Sequence, residues 1–128
     1  MNTGDSVMSS ALRSRIRDLS ATGENQYTCV MEFDPGFTGF AGHFEGNPIV
    51  PGVCLIESAR IVAEEVLASA LRTVKIVQCR FRRPILAEEC ADVTVKLADA
   101  GPERRKVQAE FRVGEALSAQ IKLELTAL

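Results

Sequence analysis

The chain has 128 residues and a formal net charge of -2, and 46% of its residues are hydrophobic while 25% are charged. This length and this balance are typical of one globular domain, residues 1–128, and exclude a disordered or membrane-embedded chain. Because the chain has no basic excess and a single tyrosine, it lacks the charge and the stacking platform of nucleic-acid binders. We therefore expect neither nucleic acid nor a membrane as partner.

The N-terminal residues carry no apolar run of the kind that forms a signal peptide. We expect residues 1–10 to be a disordered tail and predict a short helix from Ser9 to Leu19. The four cysteines show no paired spacing, and three lie in apolar segments where a thiol behaves as a small hydrophobe. They therefore predict reduced thiols in a cytoplasmic protein: Cys29, Cys54, Cys79 and Cys90.

A strand and a long helix follow in chain order. Residues 26–33 alternate apolar and polar side chains, which is the pattern of a strand with one buried face. Residues 51–71 form one helical candidate of about 30 Å, and the proline at its first turn is well placed to begin it. Its apolar positions cover nearly the whole circumference, so we expect protein on all sides. Four charges make it a poor membrane span.

Four further alternating segments lie in the C-terminal half: residues 74–81, 92–97, 106–113 and 117–126. The first changes phase near residue 76, which predicts a bulge, and the last three predict an antiparallel meander. One buried helix with about five mostly antiparallel strands is an α+β domain of the hot-dog type, in which the sheet wraps around the helix. Since such a sheet has an open edge, we expect a homodimer or a trimer of dimers.

The segment before the helix contains His43, the one histidine of the chain. An imidazole can act as a base near neutral pH, and the helix start at Gly52 has unpaired N–H groups that can hold an oxyanion. Glu57, Arg60 and Glu64 fall on one helix face, which predicts an ion-pair ladder as one interpretation. The other is an acid/base site, because a carboxyl group in a buried helix needs a partner or a proton. No ligand set for a metal is present in the sequence.

The sequence GHFEGNPIVPGVCLIESA, residues 42–59, resembles the signature GHFPxxPxxPGVLxxEAxAQ of the hot-dog beta-hydroxyacyl-acyl carrier protein dehydratases. It keeps a histidine and a glutamate fourteen positions apart. Residues 80–86, RFRRPIL, are similar to the KFRRPV segment of that family. The departures of the chain from the signature include Glu45, Ser58, Arg60 and Ile61.

The resemblance implies dehydration of a (3R)-3-hydroxyacyl thioester to the trans-2-enoyl thioester, in fatty acid or related lipid or polyketide biosynthesis and without a cofactor. His43 would take the proton from C2, and Glu57 of the opposite protomer would protonate the departing hydroxyl. The Gly52 N–H would bind the thioester carbonyl. The acyl chain would lie in a tunnel lined by Val53, Ile56 and Phe81.

An acyl carrier protein or coenzyme A would carry the substrate, and the resemblance implies a basic rim for the acidic carrier, formed by Arg80, Arg82 and Arg83. Two alternatives remain at the level of sequence. One is a non-catalytic hot-dog module that binds acyl thioesters. The other is a hot-dog thioesterase, which would release free thiol.

Overall fold

The computed structural model describes residues 6–37 and 48–128. These contain two helices and six strands. In chain order the elements are α1 (Val7–Arg13), β1 (Ile16–Gly23), β2 (Gln26–Glu32), α2 (Gly52–Leu67), β3 (Leu71–Phe81), β4 (Cys90–Asp99), β5 (Arg104–Val113) and β6 (Ala116–Ala127).

The six strands form one antiparallel sheet in the order β1-β2-β4-β5-β6-β3. Strands β4, β5 and β6 are consecutive neighbours, which confirms the predicted meander. Helix α2 packs against β3, β4, β5 and β6. The fold is therefore the predicted α+β arrangement of a sheet around one long helix.

The hydrophobic core lies between α2 and the sheet, and strand alternation decides which residues enter it. On β5 the buried positions are Val107, Ala109 and Phe111, with more exposed polar residues between them. On α2, Ala59, Ile61 and Val62 are fully buried. Burial of these apolar side chains is the main stabilising term of such a domain.

The N-terminal region differs from the sequence-based expectation. Helix α1 begins at Val7 inside the segment assigned to a tail, because the Ser6 hydroxyl caps it by accepting a hydrogen bond from the Ser9 N–H at 3.0 Å and Leu12 is completely buried. The prediction of a helix up to Leu19 was wrong beyond Arg13, since β1 begins at Ile16.

Helix α2 is shorter than predicted. It ends at Leu67, and Ala68 adopts a left-handed conformation with φ 51°, which terminates the helix. Leu71 is the first residue of β3 instead of the last of the helix. The predicted irregularity of β3 is confirmed, because its pairing with β6 shifts register between Ile76 and Gln78. Neither helix in the described ranges has the length and apolar content that crossing a membrane needs.

Candidate active site

The N-terminus of α2 packs tightly against β3. Gly52 follows the N-cap residue Pro51, which has no side-chain capping hydrogen bond. A Cβ atom at Gly52 would lie 2.7 Å from Cζ and 2.9 Å from Cε2 of the Phe81 ring. Only glycine therefore allows the ring to approach this closely, and the contact connects the helix start to the end of β3.

A short antiparallel contact connects the chain entering α2 with the segment that follows β3. The Val50 N–H donates to the Ile85 carbonyl at 2.8 Å, and Ile49 forms an isolated bridge with Leu86. This contact is needed for the site, because it holds the arginine-rich segment beside the helix N-terminus.

Between these elements lies a pocket of about 360 Å³. Its lining is mostly apolar, with two arginines: Ile49, Val50, Gly52, Leu55, Phe81, Arg82, Arg83, Pro84 and Ile85. A concave apolar pocket with a few polar groups is the usual form of a small-molecule site. The helix terminus at Gly52 opens onto it and supplies the positive end of the helix dipole.

Glu57 lies one turn further along α2, and its side chain is 34% exposed. Its Oε2 accepts hydrogen bonds from Nη2 of Arg60 at 2.7 Å and from Nε of Arg60 at 3.2 Å. Arg60 also pairs with Glu64 at 3.1 Å. The ion-pair ladder predicted as one interpretation of these three residues is therefore present.

The thiol nearest to Glu57 along the helix is that of Cys54. Burial, and secondly the negative charge of Glu57, raise the pKa of Cys54 above its ordinary value. Because the thiolate is the nucleophilic form of cysteine, this shift lowers the reactivity of the thiol. Burial also raises the pKa of Cys29 to about 12, and all four cysteines are unpaired.

The structure brings together some of the predicted site residues. Gly52 and Phe81 line the same pocket, whereas Val53 and Ile56 are not among its lining residues. Val53 is 64% exposed, and Ile56 packs partly buried against the core. His43 lies outside the described residues, so its position relative to Glu57 stays a prediction.

The three arginines of the predicted basic rim have different surroundings. Arg83 forms a two-point ion pair with Glu89, with contacts of 3.0 and 3.3 Å, and this hydrogen bonding raises the pKa of Arg83. Arg80 lines a separate polar depression between β3, β5 and β6. Arg82 lines the apolar pocket and forms no ion pair within the described part of the chain.

Sequence reasoning missed most of the pocket wall. Two of the missed residues, Ile49 and Val50, lie within the dehydratase-like signature of residues 42–59. Two others, Pro84 and Ile85, lie within the similar segment of residues 80–86, so both motifs contained residues of the pocket wall. The short antiparallel contact that joins these two segments could not be predicted, because neither motif by itself indicates its partner. No group of histidine, cysteine or acidic side chains suited to a metal occurs among residues 6–37 and 48–128.

The antiparallel sheet wrapped around α2, with a pocket at the helix N-terminus, defines a hot-dog domain. The family model described as ApeI dehydratase matches residues 19–122, and the chain belongs to this ApeI-like family. The resemblance stated from the two motifs is thereby confirmed.

Similar proteins agree with this assignment. A 3-hydroxyacyl-(acyl-carrier-protein) dehydratase FabZ of Desulforamulus reducens is 31% identical over 91 residues, which are 66% of this chain and 64% of that relative. The chain thus spans somewhat less than two thirds of the length of the curated relatives it matches.

Two solved structures have the same fold. The dehydratase heterocomplex ApeI:P of Xenorhabdus doucetiae has a TM-score of 0.70 at 19% identity, covering 87% of this chain and 96% of that chain. An uncharacterized protein of Erwinia carotovora has a TM-score of 0.66 at 26% identity, covering 88% and 93%. The first likeness, at its low identity, establishes the hot-dog fold alone.

Proposed function

We propose that the chain dehydrates a (3R)-3-hydroxyacyl thioester to the trans-2-enoyl thioester. The C2–H and C3–O bonds break, a C2=C3 double bond forms, and one water leaves. The observation that carries the proposal is the position of Glu57. Its carboxyl group lies in the second turn of a largely buried helix, and the N-terminus of this helix opens onto an apolar pocket.

In this mechanism His43 is the base that takes the proton from C2, and Glu57 of the opposite protomer is the acid that protonates the 3-hydroxyl group. The Gly52 N–H binds the thioester carbonyl, where negative charge develops as C2 loses its proton. The proton held by His43 then returns to Glu57 through solvent. Each of these roles is carried over from the motif to the matching residue of this chain.

The substrate is proposed to arrive on an acyl carrier protein, as the name of the FabZ relative suggests, or on coenzyme A. The apolar pocket fits the acyl part of the chain. Arg82 is the arginine best placed to meet an acidic carrier, because it lines the pocket and has no carboxylate partner in the described residues. The setting would be fatty acid or related lipid or polyketide synthesis in the cytoplasm.

The proposed assembly is a homodimer formed through β3. This strand is an edge of the sheet, and it exposes three apolar side chains, Ile76, Val77 and Phe81, by 51%, 42% and 52%. An exposed apolar edge strand favours pairing with another chain. The similarity to the dehydratase heterocomplex ApeI:P makes a second, different chain the alternative partner.

The reaction is tested with the purified full chain and a (3R)-3-hydroxyacyl substrate, offered both on a carrier protein and on coenzyme A. Absorbance of the conjugated enoyl thioester measures dehydration. His43→Ala and Glu57→Gln should each lower kcat by roughly 100-fold or more, the usual contribution of a general acid or base. Glu65→Gln, a change at an exposed position of the same helix, is the matched control and should leave kcat unchanged.

The same assay separates the alternatives. Thiol release without enoyl product would identify a thioesterase, and tight binding without turnover would identify a non-catalytic module. The ion pair of Glu57 with Arg60 is the observation that favours the non-catalytic module. The carboxylate of an ion pair carries no proton, whereas a general acid must carry one before it can donate it. Arg82→Glu should raise KM for the carrier-bound substrate alone; an equal rise with coenzyme A would contradict its docking role.

A further inference from the structure

The Arg60 guanidinium is held by a complete set of acceptors. It has five N–H groups, and five contacts surround it. Nε and Nη2 reach Oε2 of Glu57, at 3.2 and 2.7 Å. Nη2 also donates to the Ser9 hydroxyl at 3.2 Å. Nη1 donates to the Leu71 carbonyl at 3.2 Å and lies 3.1 Å from Oε2 of Glu64.

Glu64 fixes this guanidinium from the side away from Glu57. Its side chain is only 6% exposed, and its Oε2 accepts the Leu71 N–H at 2.7 Å. Its Oε1 lies 2.8 Å from Nη2 of Arg13 on α1. Arg60 is therefore clamped between two helices and the start of β3, and its side chain is 14% exposed.

The two oxygens of Glu57 are not equivalent as a result. Oε2 accepts both hydrogen bonds from Arg60, while Oε1 accepts none from a described residue. In a protonated carboxyl group, an oxygen that accepts two N–H bonds is best suited to be the carbonyl oxygen, and the hydrogen is then carried by the other oxygen. The guanidinium fork thus determines both the orientation of the carboxyl plane and the oxygen that donates.

We propose that Arg60 is a positioning residue for Glu57, which holds the carboxyl group so that Oε1 presents the proton for transfer. This inference rests on the proposed dehydratase function. In the step, the Oε1–H bond breaks, a new O–H bond forms on the 3-hydroxyl oxygen, and the C3–O bond breaks to release water. The negative charge left on Glu57 develops beside the fixed guanidinium, where a preorganised cation stabilises it.

The test compares Arg60→Met with the wild-type full chain in the dehydration assay. Removing a charge-assisted hydrogen bond that strengthens in the transition state should lower kcat by about 10- to 100-fold, with KM changed less than about twofold. Arg60→Lys, which keeps a cation but loses the fork, should give an intermediate kcat. Arg105→Met makes the same change in net charge at an exposed ion pair on β5 and should leave kcat unchanged.

A second variant covers the case in which Arg60→Met fails to fold. Glu64→Gln weakens the ion pair that holds Arg60 on the side away from Glu57 and leaves Glu57 itself unchanged. It should lower kcat while KM stays the same. Wild-type kcat in the Arg60 variants, or a rise in KM alone, would overturn the positioning role while leaving the dehydratase proposal intact. A wild-type chain that forms no enoyl product would overturn both proposals.

Discussion

The contact between Gly52 and Phe81 allows a sharp prediction for Gly52→Ala. Carbon atoms in ordinary contact lie about 3.5 to 4.0 Å apart, whereas the new Cβ would lie 2.7 Å from the ring Cζ. The ring must therefore retreat by about 1 Å. Within a single protomer it can do so, because Phe81 is 52% exposed there. Alanine also favours the helix over glycine by up to about 1 kcal/mol, so we expect the free energy of unfolding to change by less than about 1 kcal/mol.

Activity should respond far more than stability. A displacement of about 1 Å in a wall that positions the reacting groups can cost about 100-fold in rate, which corresponds to about 2.7 kcal/mol of barrier. The measurement pairs urea unfolding curves with the initial rate of enoyl formation. Gly23→Ala is the control, because its Cβ would meet only Gln26 Cβ at an ordinary 3.6 Å.

Two outcomes would refute this reasoning. A full rate in Gly52→Ala would mean that the ring does not position the substrate, and a loss of several kcal/mol in stability would mean that the ring cannot move. Phe81→Leu supplies a further check. Since leucine leaves room for the new methyl group, Gly52→Ala should cost less rate in that background than in the wild type, which a double-mutant cycle measures.

Two further predictions concern the surroundings of the site. Hydrogen bonds from Arg83 and secondly from the Leu86 N–H lower the pKa of Glu89 below its ordinary 4.5; the stability that Glu89 contributes is therefore present above that value and is lost as pH falls through the lowered pKa. Between about pH 6 and about pH 3, the free energy of unfolding should fall more steeply for the wild type than for Glu89→Gln. An equal decrease in the two proteins would contradict this. Ile76→Lys on the β3 edge should convert the proposed dimer to monomer in sedimentation velocity and abolish enoyl formation. Val7→Lys, at a residue that is 78% exposed on α1, should do neither. An Ile76→Lys chain that still sediments as a dimer would show that the edge is not the interface.

The sequence was a reliable guide wherever one face of a strand is buried. The alternation of β4, β5 and β6 is reproduced in their burial. Strand β1 was missed for the opposite reason. It is a largely exposed edge strand, so burial does not enforce alternation, and its register shifts between Arg17 and Ser20, next to Asp18 with a positive φ of 56°. With this irregularity Ile16 and Leu19 stand three residues apart, a spacing that resembles a helix.

The end of α2 shows a different limit of sequence reasoning. Apolar residues continue through Ala70 and Leu71, so periodicity alone extends the helix. Two tertiary features end it instead. Ala68 adopts the left-handed conformation, and because this residue is not a glycine, the sequence does not indicate it. The Glu64 carboxylate accepts a hydrogen bond from the N–H of Leu71, the first residue of β3. The spacing along the helix predicted the ion pairs of Glu64 on one helix face. Its hydrogen bond to β3 could not be predicted in this way, because it forms only where the folded chain brings β3 to the end of the helix.

Three departures from the dehydratase signature, at Ser58, Arg60 and Ile61, are each accommodated by the fold. Ser58 is fully buried, and its hydroxyl donates to the Cys54 carbonyl one turn earlier at 2.7 Å, so it needs no other partner. Ile61 is fully buried in the core. Arg60 carries a charge that would be costly if unpaired, but two carboxylates flank it. Glu57 therefore keeps its place in the second turn of α2, and the Arg60 guanidinium binds one of its two oxygens.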